Sequence, residues 1–455
     1  MKKYIIIILS VFVFSSCKIG KDYAKMEIDM PDKFVSYTQD SSCFADMKWW
    51  NVYADTNLRN LIHHTLENNK DMKIAVAKVK EMAARKKIDY ANFYPKVNAN
   101  VYGQDEKLNY QGNFDKQPHD VEYGLKANIS WELDLWGNLR WANDVAIAEY
   151  MSTIEGQRAL MMSLVAEVAE IYFELIALDN ELRIVKQTLK AREDGVKLAK
   201  IRFEGGLTSE TSYQQAKLEY AKTATMVPDL EKKIAIKENE ILALSGSYPR
   251  RVERIETQNN LILPDSIPVG LPSDLMERRP DVRKAEQKLI AANAKVGVAY
   301  TNMFPKIALT TNLGFETDKI ASLFSSPMFF IGANLLSPVF NMGSNKAKYK
   351  AQIAVYEQEC YNYEKVVMSA FYDVMNALVE FYKIKQIYES RLLLKESAQA
   401  TMELAQLQYI NGVIGYLDVL DAQRNYLDAQ ISLSNAYRDK QITMVKLYKA
   451  LGGGY

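Results

Sequence analysis

The sequence predicts a membrane α+β protein: a trimeric 12-stranded transmembrane β-barrel, four strands per chain, continued by a long α-helical barrel and built from an internal duplication. Three observations carry this. Two stretches of more than 60 residues lack proline and almost lack glycine, two pairs of segments alternate apolar and polar residues, and one set of motifs occurs twice about 206 residues apart. The 57 basic and 56 acidic residues leave a formal net charge of +1, which removes the electrostatic case for nucleic-acid binding. With 48% apolar and 25% charged residues the composition is neither disordered nor fibrous.

At the N-terminus, Lys2 and Lys3 precede an apolar run, Tyr4 to Phe14, and Ser15-Ser16-Cys17 follows it. A basic, an apolar and a small-residue region in that order read as a secretory signal peptide. The run falls well short of the roughly 20 residues of a spanning helix, and no longer one exists, which excludes a polytopic helical membrane protein. A cysteine directly after two small residues resembles the bacterial lipobox. The resemblance implies that residues 1–16 are removed, that Cys17 is the lipidated first residue, and that 17–57 form a lipid-anchored segment. An ordinary signal peptide with a chance cysteine is the alternative. Acyl chains anchor stably in pairs, each buried methylene adding about 0.8 kcal/mol. A disulfide between Cys43 and Cys360 is left open by their spacing.

The remainder divides into two copies of one plan, 58–260 and 261–455. Leu198-Ala199 through Gly206, Ala216 and Tyr220 recurs as Leu404-Ala405 through Gly412, Ala422 and Tyr426, at an offset of 206, and Tyr94-Pro95-Lys96 recurs as Phe304-Pro305-Lys306, at 210. A repeat this long is a duplicated half-molecule and no solenoid unit.

In each copy the stretch after the Pro-Lys motif has period two. Val97, Ala99 and Val101 alternate with Asn98, Asn100 and Tyr102, giving a strand over about 96–107; Val121 to Leu133 alternates likewise, giving one over about 121–135. The second copy has strands over about 306–316 and 328–338. Polar connectors, Leu108 to Asp120 and Glu316 to Pro327, make each pair a hairpin. Long helices follow, over about 138–204 and 344–411, each ending at a glycine turn from which a second helix returns, about 209–245 with a kink expected at Pro228, and about 416–451. At 1.5 Å per residue the longer helices rise roughly 100 Å. Such hairpins project from a four-stranded sheet and cannot wrap it, so a soluble α+β domain is the weaker reading. Four strands cannot close in a bilayer, where every edge must be paired. Three copies supply 12. Trp131, Trp136 and Trp141, at the strand-to-helix transition, suit an interfacial aromatic belt, with a packing cluster as the alternative.

Arg278-Arg279-Pro280-Asp281-Val282, with Ala285-Glu286, matches a family signature, supported by Gly297-Val298-Ala299, Trp131-Glu132-Leu133-Asp134-Leu135-Trp136-Gly137 and Asp418-Val419-Leu420-Asp421-Ala422-Gln423. Together these resemble the TolC-like outer membrane factors, in the lipoprotein branch that serves resistance-nodulation-division efflux pumps. The resemblance implies a homotrimeric tunnel with its barrel in the outer membrane and its helical barrel in the periplasm. There it meets a periplasmic adaptor and an inner-membrane RND pump. It further implies adaptor contacts at the helical-hairpin tips, Gly205, Gly206, Leu207 and Thr208 in one copy and Asn411, Gly412 and Val413 in the other. A periplasmic gate is implied at Asp418, Asp421 and the neighbouring Tyr409. Where some relatives carry an arginine that ties the gate, this chain has Ile414. Pro280 and Asp281 also suit the positive N-terminus of a helix, which gives Arg278, Arg279, Pro280 and Asp281 a structural reading. Asp418 and Asp421, three residues apart on one helix face, either cap that helix or face the tube.

No catalytic constellation can be assembled. His63, His64 and His119 are badly spaced for a metal, and Walker, Gly-x-Ser-x-Gly, His-Glu-x-x-His and Cys-x-x-Cys motifs are absent. The expected function is a passive exit duct that uses no cofactor. The alternatives are a duct for type I protein secretion or a coiled-coil lipoprotein that merely spans the periplasm.

Overall fold

The computed structural model describes residues 18–31, 34, 43–53, 55–106, 120–255, 268 and 271–454. In chain order the elements are α1 (Trp49–Val52), α2 (Thr56–Asn68), α3 (Lys70–Ala91), β1 (Lys96–Glu106), β2 (Asp120–Leu133), α4 (Asn138–Glu204) and α5 (Glu210–Leu244), then α6 (Asp274–Arg278), α7 (Pro280–Thr301), β3 (Lys306–Thr317), β4 (Pro327–Leu336), α8 (Ser344–Ile410) and α9 (Tyr416–Ala450). The two copies agree closely: α4 and α8 are both 67 residues long, and α5 and α9 both 35. The N-terminal cysteine, Cys17, His119 and most of the first hairpin connector lie outside the described residues. No described helix is long and apolar enough to cross a membrane. Two compact units are formed, Met1–Ile28 with Lys78–Ile154 and Lys284–Glu364, and Asp29–Ala77 with Glu155–Arg283 and Lys365–Tyr455.

The first unit holds one antiparallel sheet in the order β1-β2-β3-β4, so β1 and β4 are its two open edges. Every ladder pairs odd with odd and even with even residue numbers, as in Val101↔Leu125, Leu125↔Phe315 and Leu313↔Phe329. Because strand side chains alternate between faces, this parity gathers most of the apolar residues on one side, with Met328, Phe330 and Leu336 of β4 left on the other. Val97, Leu125, Ile129, Leu309, Leu313, Phe329, Ile331 and Leu335 share that face. The other carries Asn98, Asn100, Lys126, Asn128, Ser130, Thr310, Asn312 and Asn334. There Lys126 pairs with Glu316 at 2.9 Å and lies 4.8 Å from the centre of the Tyr102 ring, and the Tyr102 hydroxyl donates to Glu122. An apolar face on one side and a polar one on the other is the pattern of a strand set between lipid and water.

Of the three junction tryptophans, Trp141 packs a joint as the alternative reading has it, while Trp131 and Trp136 are half-buried. Trp141 is buried, with a Cβ built on Gly297 falling 2.3 Å from its ring and its Nε1 donating to the Ile19 carbonyl at 2.8 Å. Only glycine at 297 lets α7 approach the indole so closely. Lys18 Nζ stands 3.5 Å over the ring centre. Trp131 Nε1 donates to the Phe93 carbonyl at 2.9 Å, and Trp136 Nε1 to the Pro305 carbonyl at 2.7 Å. With its one donor spent on backbone and its ring against glycine, the Trp141 indole packs a joint and does not float at a lipid interface.

In the second unit, Leu58, Ile62, Tyr172, Leu175, Ile241 and Leu242 form one core and Val374, Leu378, Phe381, Leu447 and Leu451 another. Each fully buried side chain contributes about 1.5–3 kcal/mol. α5 runs on unbroken through Pro228, whose lost amide donor is offset by Met226, Val227 and Leu230 packing on Ile184, Val185 and Leu427. No disulfide joins Cys43 and Cys360, so the pairing left open by the sequence is not formed.

Candidate functional site

The tips of the two helical hairpins lie in the second unit and are built identically. At the first, the Gly206 amide donates to the Phe203 carbonyl (2.9 Å) and the Leu207 amide to that of Arg202 (2.8 Å); at the second, Gly412 donates to Tyr409 (3.0 Å) and Val413 to Gln408 (2.9 Å). This paired closure needs a left-handed residue at its centre, and Gly206 and Gly412 supply it with φ of 71° and 75°. Gly205, Gly206, Leu207, Asn411, Gly412 and Val413 are exposed, while Thr208 is half-buried. An exposed leucine and valine on rigid two-helix turns give each tip an apolar contact of defined shape.

Beneath the second tip, Tyr409 is buried, its ring centre 5.2 Å from that of Tyr416 and 4.8 Å from the Arg202 guanidinium. Its hydroxyl has no hydrogen-bond partner among the described residues. Burial, with Tyr409 alongside, pushes the Tyr416 hydroxyl above the ordinary tyrosine range. Ile414 packs with Tyr409, Ala405, Val419 and Ala422 in a small apolar cluster.

Asp418 and Asp421 are both exposed. An Asp418 carboxylate oxygen accepts from the Gly415 amide at 3.0 Å, closing the first turn of α9, and Asp421 receives Arg424 at 3.2 Å. The capping contact therefore exists at Asp418, a residue that is exposed.

A buried ion-pair cluster behind these residues was not among those singled out from the sequence. Arg192 of α4 reaches Glu219 of α5 at 3.1 Å, both side chains buried, and donates to the Glu219 carbonyl (2.9 Å) and to the Thr223 hydroxyl. Glu219 also receives Lys222 at 3.1 Å and Arg424 of α9 at 3.3 Å, which ties the second hairpin to the first. Burial raises the Glu219 pKa, but the hydrogen bond from Lys222 and the charges of Arg192 and Arg424 outweigh it and hold the carboxyl below its ordinary range. A signal existed: Ala216, Glu219, Thr223 and Leu230 follow helical spacing on the buried face of α5, and a carboxylate on such a stripe requires a cation opposite.

The Arg278-Arg279-Pro280-Asp281 signature forms a second cluster. Arg279 is buried and bonded to Asp281 (2.7 Å), Asp373 of α8 (2.9 Å) and the Ala450 carbonyl at the end of α9 (3.1 Å). Arg278 turns outward to Asp46. Pro280 opens α7, where its missing amide costs nothing. Burial opposes ionisation of Asp281, yet Arg279 beside it holds its carboxyl below the ordinary range. His63 lies 3.5 Å from Glu67 and His64 contacts Ser247 at 3.0 Å, so the adjacent histidines diverge. Among the described residues no group of three or more His, Cys, Asp or Glu is placed to hold a metal ion.

The profile of the outer membrane efflux protein family matches residues 61–247 and 271–453. The chain is 29% identical over 456 residues to the probable outer membrane lipoprotein SilC of Salmonella typhimurium, covering 98% of each. It is 28% identical over 448 residues to the cation efflux system protein CusC of Escherichia coli (strain K12), covering 97% of each. Among solved structures, the outer-membrane channel OprN matches with a TM-score of 0.90 at 26% identity, over 96% of this chain and 99% of that one.

Proposed function

This chain belongs to the outer membrane efflux protein family, and from that premise we propose that three copies form the closed exit duct of a tripartite pump. The protein is an outer membrane efflux channel of TolC-like fold that extends into the periplasm. The single observation that carries the trimer is the sheet with one apolar face, one polar face and two open edges. An unpaired backbone group in hydrocarbon costs several kcal/mol, so the four strands must close with other strands, and 12 make a barrel with a water-filled lumen. Transport through it is passive, and the energy comes from an inner-membrane RND pump reached through a periplasmic adaptor. The exposed hairpin tips are the surfaces for that adaptor, and Asp418 and Asp421 line the periplasmic constriction, with Tyr409 packed behind them as part of the gate. Cys17 carries the lipid anchor.

The duct reading is tested with purified protein in a planar bilayer, where stepwise conductance from a species of about three times 51.9 kDa is expected. A folded trimer that never conducts would leave only a spanning scaffold. The anchor is tested separately by radiolabelled palmitate, which should enter the wild type and not Cys17→Ser. Label retained in the variant would remove Cys17 from the account.

A further inference from the structure

The first unit encloses a cavity of about 360 Å³ beside the strand ends, and the duplication marks three of its side chains as ones that packing does not require. Ala142 and Ala146 of α4 with Val298 and Ala299 of α7 make a small apolar floor, around which stand Asp89 of α3 and Lys348 and Gln352 of α8. α3 and α7 are both 22 residues long and lie 210 residues apart; α4 and α8 lie 206 apart. Under these offsets Asp89 corresponds to Ala299, Lys348 to Ala142 and Gln352 to Ala146. Three alanines of the floor thus have an acid, a base and an amide as counterparts, and all six line one cavity. Alanine satisfies the packing at this level of the helices. The polar counterparts are not spent elsewhere in the fold. Among the described residues neither the Asp89 carboxylate nor the Lys348 ammonium has an ion pair or a hydrogen bond, and Gln352 Nε2 is buried with no hydrogen-bond partner.

The cavity and the N-terminal segment lie on opposite faces of α7. Gly297 meets Trp141, Asn293 donates to the Lys21 carbonyl at 3.2 Å, and Glu286 accepts from Tyr23 at 3.4 Å. Val298, Ala299 and Asn302 turn to the cavity, about half a turn round the helix. In the duct proposed above the N-terminal segment leads to the anchor and covers the outer wall, which puts the cavity on the inner one. Resting on that reading, we infer that each copy carries, on the inner wall of the duct, a binding site for a small amphipathic zwitterion. Its apolar body lies on the alanine and valine floor, its cationic end faces Asp89, its anionic end faces Lys348, and an acceptor on it takes the Gln352 amide hydrogen. A solute with charge of one sign would leave the opposite side chain without a partner. Glu149 and Lys295 at the rim already pair at 2.7 Å and add no net charge. At this volume the cavity is near the small end of ligand pockets, which run from about 300 to 1,000 Å³. A duct wall needs binding weak enough to release the solute again.

The test is saturation-transfer NMR on the trimer in lipid nanodiscs, with ω-amino carboxylic acids of about six to twelve carbons as probes. These zwitterions scarcely enter the bilayer and differ only in the distance between their charges. Saturable binding with an optimum at one length is expected. Asp89→Lys and Lys348→Asp should each weaken it roughly tenfold, and the double variant should recover to within about threefold, because a zwitterion can lie end for end. Charges with a merely structural role would not give that recovery. Ala142→Leu, which fills the floor, should abolish binding. No saturable binding at any length, no recovery in the double variant, or binding untouched by Ala142→Leu would overturn the site. Planar-bilayer conductance of the same preparations separates the two readings. Conduction without binding removes the site and leaves the duct; binding without conduction removes the duct and the placing of the site on its wall.

Discussion

Channels that combine Asp418→Asn with Asp421→Asn are expected to lose most of their preference for cations and to bind blocking multivalent cations about tenfold more weakly, a change of about 1.4 kcal/mol. Both carboxylates are exposed beside the second hairpin tip, and in the trimer proposed above they would bring six negative charges together, partly offset by three Arg424 guanidinium groups. Coulomb energies between exposed charges a few ångströms apart are only about 1 kcal/mol in water, but they grow several-fold in a narrow, poorly hydrated constriction. The amide substitution isolates this effect from helix capping. The side-chain carbonyl that Asp418→Asn leaves in place can still accept from the Gly415 amide, so the roughly 1 kcal/mol that a cap supplies is retained. Reversal potentials and cation block of the reconstituted channel give the readout. Selectivity and block unchanged from wild type would place the pair away from the narrowest point and leave Asp418 a cap alone.

Arg279→Ala is expected to have the largest effect on stability, about 3–5 kcal/mol, because it removes the buried partner of Asp281 and Asp373 and the donor to the Ala450 carbonyl. Arg279→Lys should recover only part of this, since an ammonium cannot reproduce the planar fork that serves two carboxylates and a carbonyl. Thermal loss of folded trimer, followed by gel mobility, measures the difference. Midpoints equal to wild type in both variants would mean the cluster is dispensable. The pH dependence has a definite sign. The Asp281 carboxyl is held below its ordinary value in the folded chain, so its contribution is complete above the unfolded value near about 4 and is lost as the pH falls through the lower folded value. The alanine variant should therefore lose less than wild type on acidification.

The class of fold could be read from the sequence because its determinants are local. Freedom from proline and glycine sets helix length, period two against period 3.6 separates strand from helix, and a repeated motif reveals a duplication whatever the distance between copies. The tip glycines were legible for the same reason: a left-handed residue is required at that place by backbone sterics alone. What the tertiary structure decided is which distant side chains meet. Whether Trp141 faces lipid or the Ile19 carbonyl depends on α7 offering Gly297 at the matching height. Whether Glu219 is a solvated carboxylate or the centre of a cluster depends on α4 and α9 bringing Arg192 and Arg424 within reach. Periodicity fixes the face on which a residue lies but not the relative sliding of two helices, and a shift of one turn, about 5.4 Å, is more than the reach of an ion pair.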